Sequence, residues 1–392
     1  MQKKNIDFKN FNLSKKKLNN SKVIKIFKDL KKNLLDKKDL LLFSMSNKYE
    51  NSFKTNELEK YRKFKFYKII AMGGSILGSK AIYFFLKFKI KKDFKFIDNL
   101  NLNKQHQDKR KQLDIIISKS GNTLETISNM NIRKINKDSI FITEDKDNYL
   151  RKIAHKLKKK VFEHKNYIGG RYSVLSETGM LPAILMGLDY KKFKKIDYYM
   201  NNKMFVDRLI LNVSNILTLY NDKKTNSIIL NYDENSQDLF YWYQQLVAES
   251  LGKKSKGILP FISLMPKDNH SLMQLYLDGT KNNFFTFFMV EDKKSKNIKK
   301  ENLVNFKNYL KNKNLQQVLR AQFFATQSIF KKKKIPFRSF VVKQRNEEAL
   351  GELFIYFILE TIMLGKAMNV NPFDQPQVES IKKETYKFLR KN

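Results

Sequence analysis

An α/β fold with two parallel-sheet domains is what this sequence predicts, and three observations predict it. From Phe64 onward, short β-branched or aromatic runs alternate with stretches of helical periodicity, the pattern of strands joined by crossover helices. The 392 residues are enough to bury two or three hydrophobic cores. Polar, glycine-containing turns stand directly after the apolar runs, where open α/β sheets place their ligands.

The elements follow in chain order. Residues 1–60 are rich in Lys and Asn and carry amphipathic pieces at Val23–Phe27 and Leu40–Phe43, so they read as an N-terminal helical arm. Residues 61–190 form the first domain, with strands expected at Tyr67–Met72, Phe94–Ile97, Leu113–Ile117, Ser139–Thr143 and Val161–Glu163. Residues 191–365 form the second. It opens on a helical stretch from Tyr198 to Tyr220 and continues with strands expected at Ser227–Leu230, Gly257–Leu264, Phe284–Val290 and Phe337–Val342. Residues 366–392 give a turn, Asn371 to Pro376, and a C-terminal helix whose apolar stripe is Val378, Ile381, Thr385 and Phe388.

Composition narrows the function. There is no cysteine, and the four histidines, His106, His155, His164 and His270, lack ligand-like spacing, so neither disulfides nor a metal site is expected. The basic opening residues lead into more Lys and Asn instead of an apolar core, which argues against a secretory signal. No uncharged apolar run is long enough to span a bilayer, and a cytoplasmic protein without membrane contact is expected. The net charge of +40 has two readings. A nucleic-acid binder would draw affinity from counterion release. The preferred reading is compositional: Lys is scattered over every segment together with Asn, Ile, Phe and Tyr, and runs such as Lys158–Lys160 and Lys331–Lys334 sit at element ends, where a cation after a helix complements its dipole.

Four places carry chemistry. Ser118-Lys119-Ser120-Gly121-Asn122-Thr123-Leu124-Glu125-Thr126 crowds hydroxyls and a glycine turn into a strand-to-helix junction, and Leu124, Ile127, Asn131, Ile132 and Ile135 continue it at helical spacing. Free backbone N–H groups and the positive helix pole there favour a dianion, while the same residues also make an ordinary N-cap; spacing alone does not choose. Met72-Gly73-Gly74-Ser75 follows the first strand and lets backbone approach a ligand. Gly169-Gly170-Arg171-Tyr172-Ser173 offers a permanent cation that suits either an oxyanion or plain solvent. Trp242, Gln245 and Glu249 share one stripe of a helix whose other stripe, Leu239, Tyr243, Leu246 and Val247, faces the core, so Glu249 is a sheltered carboxylate beside an amide or an exposed one before Gly252. Two further positions are open in the same way: His270 in Asp268-Asn269-His270-Ser271, and Gln375 with Lys382 at the C-terminal helix.

Taken together, Met72–Ser75, Ser118–Thr126, Gly169–Ser173, Gln244–Ser250, Asp268–Ser271 and Asn371–Gln375 through Lys382 resemble the glucose-6-phosphate isomerase family, in particular its compact bacterial members. The resemblance implies two SIS domains, each a flavodoxin-like three-layer sandwich. It implies a cofactor-independent enzyme that interconverts glucose 6-phosphate and fructose 6-phosphate through ring opening and a cis-enediolate. Under it, Gly74, Ser75, Ser118, Lys119 (through its backbone), Ser120 and Thr123 hold the phosphate. Glu249, with Gln245 beside it, moves the proton between C1 and C2, and Arg171 stabilises the enediolate. His270 opens the ring, oriented by Glu125, while Lys382 and Gln375 lie near the ring oxygen. It further implies a homodimer in which His270 reaches the neighbouring subunit's site. Asn269, Pro376 and Gln377 depart from the family pattern. Two other readings stay on the page: a dual phosphoglucose/phosphomannose isomerase, and an inert SIS-domain sugar-phosphate sensor.

Overall fold

The structure, a computed structural model, describes residues 5–13, 20–100, 110–132, 135–291, 295–299 and 309–391. His106 lies outside them. Among the described residues, ten strands form two five-stranded sheets. They are β1 (Ile6–Lys9), β2 (Phe66–Ile70), β3 (Asp93–Ile97), β4 (Gln112–Ile117), β5 (Ser139–Thr143), β6 (Lys160–Glu163), β7 (Asn226–Asn231), β8 (Leu259–Leu264), β9 (Asn283–Val290) and β10 (Phe337–Val342). The first sheet runs β3-β2-β4-β5-β6 and is parallel throughout, the doubly wound order of flavodoxin-like folds. Strand β2 is its switch point, with chain connections leaving in opposite directions on either side.

The second sheet runs β8-β7-β9-β10 in the same parallel order, and its fifth place is filled from the far end of the chain. Strand β1 pairs antiparallel with β10, Ile6 opposite Val342 and Lys9 opposite Ser339. The N-terminal segment is therefore not helical alone. Its helix Asn20–Leu35 turns Val23, Phe27, Leu30 and Leu34 inward, as the amphipathic piece predicted, but the segment is also woven into the second domain's sheet. A four-residue strand alternating Ile6 and Phe8 in with Asp7 and Lys9 out is too short for periodicity to reveal.

Between the sheets lies a shared apolar layer. The helices Gly74–Phe85 and Gln237–Leu251 pack on one another there, beside the helix Glu347–Ala367, which is apolar all round and buried accordingly. The stretch Tyr198 to Tyr220 is two helices, Ile196–Asn201 and Lys203–Asn221, because the Asn202 side chain accepts from the Phe205 N–H and restarts the helix. The helix after the hydroxyl-rich turn, Leu124–Ile132, buries Thr126, Asn129 and Met130, while Asn131 and Ile132 face solvent; Ile135 lies beyond its end. The expected stripe is thus rotated by part of a turn. At the C-terminus the helix Pro376–Lys391 forms as expected, yet none of its residues is buried. No described helix is long and apolar enough to cross a membrane.

Candidate active site

The turns after β2 and β4, the loop after β6, the helix Gln237–Leu251 and the turn before the last helix converge at the carboxyl edge of the first sheet. Their approach is set by glycine. A Cβ on Gly74 would lie 2.2 Å from the Gly170 carbonyl carbon, so the two glycine pairs meet backbone to backbone. Gly73 adopts φ +51°, and a Cβ there would come within 2.9 Å of Gln245 Nε2. The turn after β2 is thus brought against the loop after β6 and against the helix Gln237–Leu251, at a place where a side chain on Gly74 or Gly73 would hold them apart.

The hydroxyl-rich turn is built as an open cradle. Ser118 Oγ and Thr123 Oγ1 are 2.8 Å apart, the Gly121 N–H donates to Ser118 Oγ at 3.1 Å, and the Asn122 N–H to Ser120 Oγ at 3.3 Å. Gly121 takes φ +69°, the left-handed region, with Asn148 packed where a Cβ would be. The hydroxyls therefore bond one another and the turn. Among the described residues no acceptor takes the N–H groups of Leu124, Glu125 and Thr126 in the first turn of the helix. No side-chain N-cap forms at this end among the described residues, and the free donors and the positive helix end can meet either water or an anion. Ser75, nearly buried in the first turn of the Gly74–Phe85 helix, keeps its hydroxyl free of partners among the described residues. The Lys119 amine points away, donating to the Asn166 carbonyl at 2.8 Å and lying 3.6 Å from Glu144; burial holds it below the usual lysine range.

Arg171 is the hub of the other half. It is 3 % exposed, and every donor group on it is engaged: Nε to Ser250 Oγ at 2.9 Å, Nη1 to Glu249 Oε2 at 3.1 Å and Gln375 Oε1 at 2.9 Å, and Nη2 to the carbonyls of Pro372 at 2.7 Å and Asp374 at 3.0 Å. Its own carbonyl accepts from Trp242 Nε1 at 3.2 Å. Glu249 receives Gln245 Nε2 on its other oxygen at 2.8 Å and remains 27 % exposed, so one carboxylate is oriented from two sides and open on a third. Tyr172 and Ser250 complete the wall, with Tyr172 Oη 2.8 Å from both Ser250 Oγ and the Pro372 carbonyl; burial pushes the Tyr172 phenol up from its usual range.

Arg171, Glu249, Gln245 and Gln375 are thus brought together. His270, Glu125 and Lys382 are not. His270 follows a short 3₁₀ turn, Lys267–Asn269, and does not start a helix; its ring is exposed and makes no hydrogen bond among the described residues. Glu125 has no side-chain partner among them either, and Lys382 pairs with Glu379 on the exposed last helix. The last helix does touch the cradle, through Tyr386 Oη, which donates to the Asn122 carbonyl at 3.4 Å. Sequence reasoning missed Ser250, Lys253 and Asp374, which act on backbone carbonyls and on Arg171; their only signal was adjacency to Glu249 and Gln375.

A family model described as phosphoglucose isomerase matches residues 48–391. The chain belongs to the phosphoglucose isomerase family. Among curated relatives, glucose-6-phosphate isomerase of Methanocaldococcus jannaschii is 31 % identical over 85 % of this chain and 87 % of its own length. That of Mycoplasmopsis synoviae is 32 % identical over 82 % of each chain. Among solved structures, a hypothetical protein of Thermus thermophilus superposes with a TM-score of 0.82 at 25 % identity, covering 94 % of this chain and 96 % of that one. A glucose-6-phosphate isomerase from Chlamydia trachomatis shares the fold with a TM-score of 0.68 at 19 % identity, over 86 % and 72 %. The chain has the α/β fold with parallel sheets expected of a phosphoglucose isomerase family member, and it gathers Arg171, Gln245, Glu249 and Gln375 but not His270 or Lys382.

Proposed function

We propose that this chain interconverts glucose 6-phosphate and fructose 6-phosphate, and that the residues named above do the work. The observation that carries the assignment is Glu249: a carboxylate fixed by Gln245 and Arg171 and left partly exposed, on a helix whose Gln245 packs against the Gly73 turn after β2. The substrate's phosphate enters the cradle of Ser75, Ser118, Ser120 and Thr123 with the free N–H groups of the Leu124 helix, beside the Gly74 turn and the Lys119 backbone. Glu249 removes the proton from one of C1 or C2 and returns it to the other, a transfer of a kind that contributes ~10²–10⁴-fold. Arg171, never deprotonated and with all five of its N–H groups already engaged, holds the Glu249 carboxylate in place and lends the developing oxyanion its charge rather than a hydrogen bond.

Ring opening falls to His270 with Glu125, and Lys382 and Gln375 stand toward the ring oxygen. The exposure of His270, the lack of any Glu125–His270 contact among the described residues, and the bare apolar side chains of the last helix all support delivery of His270 from a second copy in a homodimer. The domain limits that fit this reading are 61–190, 191–365 and 366–392, with β1 and the first helix attached to the second domain. Glycolytic and gluconeogenic substrates are cytoplasmic, and the chain is assigned there with no metal or redox cofactor in its scheme. An inert sensor needs only the cradle and has no use for Glu249 clamped as it is.

Purified protein given fructose 6-phosphate should yield glucose 6-phosphate, followed by a coupled dehydrogenase, with mannose 6-phosphate assayed in parallel. Folded protein without turnover would refute the assignment, and comparable mannose turnover would replace it with the dual isomerase.

A further inference from the structure

The turn that delivers Gln375 to Arg171 is gripped by two cations. Arg171 Nη2 holds the carbonyls of Pro372 and Asp374. The turn is also held by Lys253, four residues beyond Glu249 and just past the C-cap Gly252 of that residue's helix. Its Nζ donates to the Asn371 carbonyl at 2.5 Å and to the Ser250 carbonyl at 3.2 Å, and it lies 2.9 Å from Asp374 Oδ1. An ammonium has three donors, and here three acceptors take them, leaving nothing for a ligand. The Lys253 side chain is only 11 % exposed. The Ser250 carbonyl is one of the orphan acceptors at a helix end, where a cation is favoured.

The turn is organised to meet this grip. Asn371 Oδ1 accepts from the Phe373 N–H at 3.0 Å, and Asn371 Nδ2 donates to Asp374 Oδ2 at 3.0 Å, so the Asp374 carboxylate is divided between Asn371 and Lys253. The hydrogen bond from Lys253 holds the Asp374 carboxyl below the usual range, while burial lowers the Lys253 amine. One helix thus presents the candidate base and, one turn on, ties down the turn that supplies the guanidinium's other partners.

We propose that Lys253 is a positioning residue for the isomerisation: by clamping Asn371–Asp374 to the end of the Glu249 helix, it fixes Gln375 and Arg171 relative to the Glu249 carboxylate without touching substrate. The inference rests on the isomerase reading. With Lys253 gone, Arg171 Nη2 loses fixed acceptors, and Arg171 Nη1, which orients Glu249, loosens with it. Misplacement of about 1 Å at a reacting group costs about 10²-fold.

The test is Lys253→Met, with Lys253→Arg as the conservative variant and Asp374→Asn removing the same contact from its solvent side. Lys253→Met should lower kcat by about 10²-fold while KM for fructose 6-phosphate moves less than about threefold, because the Ser118–Thr123 cradle is untouched. Lys253→Arg should recover most of kcat, and Asp374→Asn should shift kcat in the same direction by a smaller factor. Amide hydrogen exchange should quicken at residues 371–376 in Lys253→Met and stay unchanged at 118–132. Wild-type kcat in Lys253→Met overturns the proposal, as does a rise in KM at constant kcat. So does a fall in kcat without faster exchange in the turn. If Lys253→Met does not fold, Asp374→Asn decides by the same two readouts. Absence of turnover in the wild-type enzyme would instead refute the isomerase reading, and the exchange data would still judge the clamp.

Discussion

Two arginines of this chain each hold a glutamate and a set of neighbouring oxygens, one inside the second domain and one at the candidate active site. Arg338 is fully buried. It meets both oxygens of Glu360, Thr286 Oγ1 and Asn212 Oδ1 at 2.9 Å each, and Tyr243 Oη at 3.4 Å. Glu360 is also fully buried, and its oxygens take Asn212 and Tyr243 as well, so the pair is closed on every side. Arg171 is built with the same economy, but its glutamate keeps more than a quarter of its side-chain surface open. Tyr243, on the same helix as Glu249, contacts the closed pair. The difference teaches that saturation of a cation makes a brace, and that a reactive group results only where the carboxylate is left one free face.

The comparison breaks first at Glu360. Replacing it with Gln strands the Arg338 charge in the core, and the loss of a buried partner costs about 3–5 kcal/mol. Urea titration should show that drop in unfolding free energy; a change under about 1 kcal/mol would mean the pair is not a brace.

Glu249→Gln should leave the urea midpoint almost where it was and cut kcat by ~10²–10⁴-fold, since only the open carboxylate is altered. Retained activity would remove Glu249 as the base. Mixed with a His270→Asn variant and reassembled, the same protein should regain about a quarter of wild-type turnover, because half the dimers would then carry one intact composite site. Failure to complement while both variants form dimers would place His270 in its own chain's site or outside catalysis.

A third buried cation tests the rule through its pH dependence. Lys194 is fully buried over the Tyr49 ring, 4.2 Å from its centroid, and its amine has no hydrogen-bond acceptor among the described residues. Burial drops it from the ordinary 10.5 to about 7. Between those values the unfolded chain binds more protons than the folded one, so stability from this group rises with pH over that window and is flat below it. Lys194→Met should therefore raise Tm most at pH 7 and below, with the gain shrinking toward pH 10. A gain independent of pH would contradict the shift.

Much of this was legible in the residues. Runs such as Leu113–Ile117 and Phe284–Val290 are buried on both faces, and their apolar, largely β-branched or aromatic residues, interrupted only by Asp114 and Thr286, marked them within a residue or two of their ends. The stripes of the Gln237–Leu251 helix were legible because Trp242, Gln245 and Glu249 recur at its period. Strand β1 was not, since four residues carry too little pattern, and neither was the break at Asn202, a cap inside an apolar stretch. At the site, side-chain chemistry announced Arg171 and Glu249. Lys253 stayed silent because its partners are mainly carbonyls, which every residue possesses, and in a chain so rich in lysine nothing distinguished this one. Other lysines serve similarly: Lys22 and Lys256 donate to the Ala367 and Met368 carbonyls at the end of the Glu347–Ala367 helix.

Strand β1 also sets the order in which the molecule can be made. Its sheet partner, β10, follows every other described strand in the chain, so β1 must wait while the first sheet, all of whose strands precede residue 164, is free to close. Until Phe337–Val342 emerges, Ile6 and Phe8 have no strand to pair with. Closure of the second sheet is thereby tied to the emergence of β10, and a chain cut short before it would carry the Ser118–Thr123 turn on a complete first sheet while the second sheet stayed open.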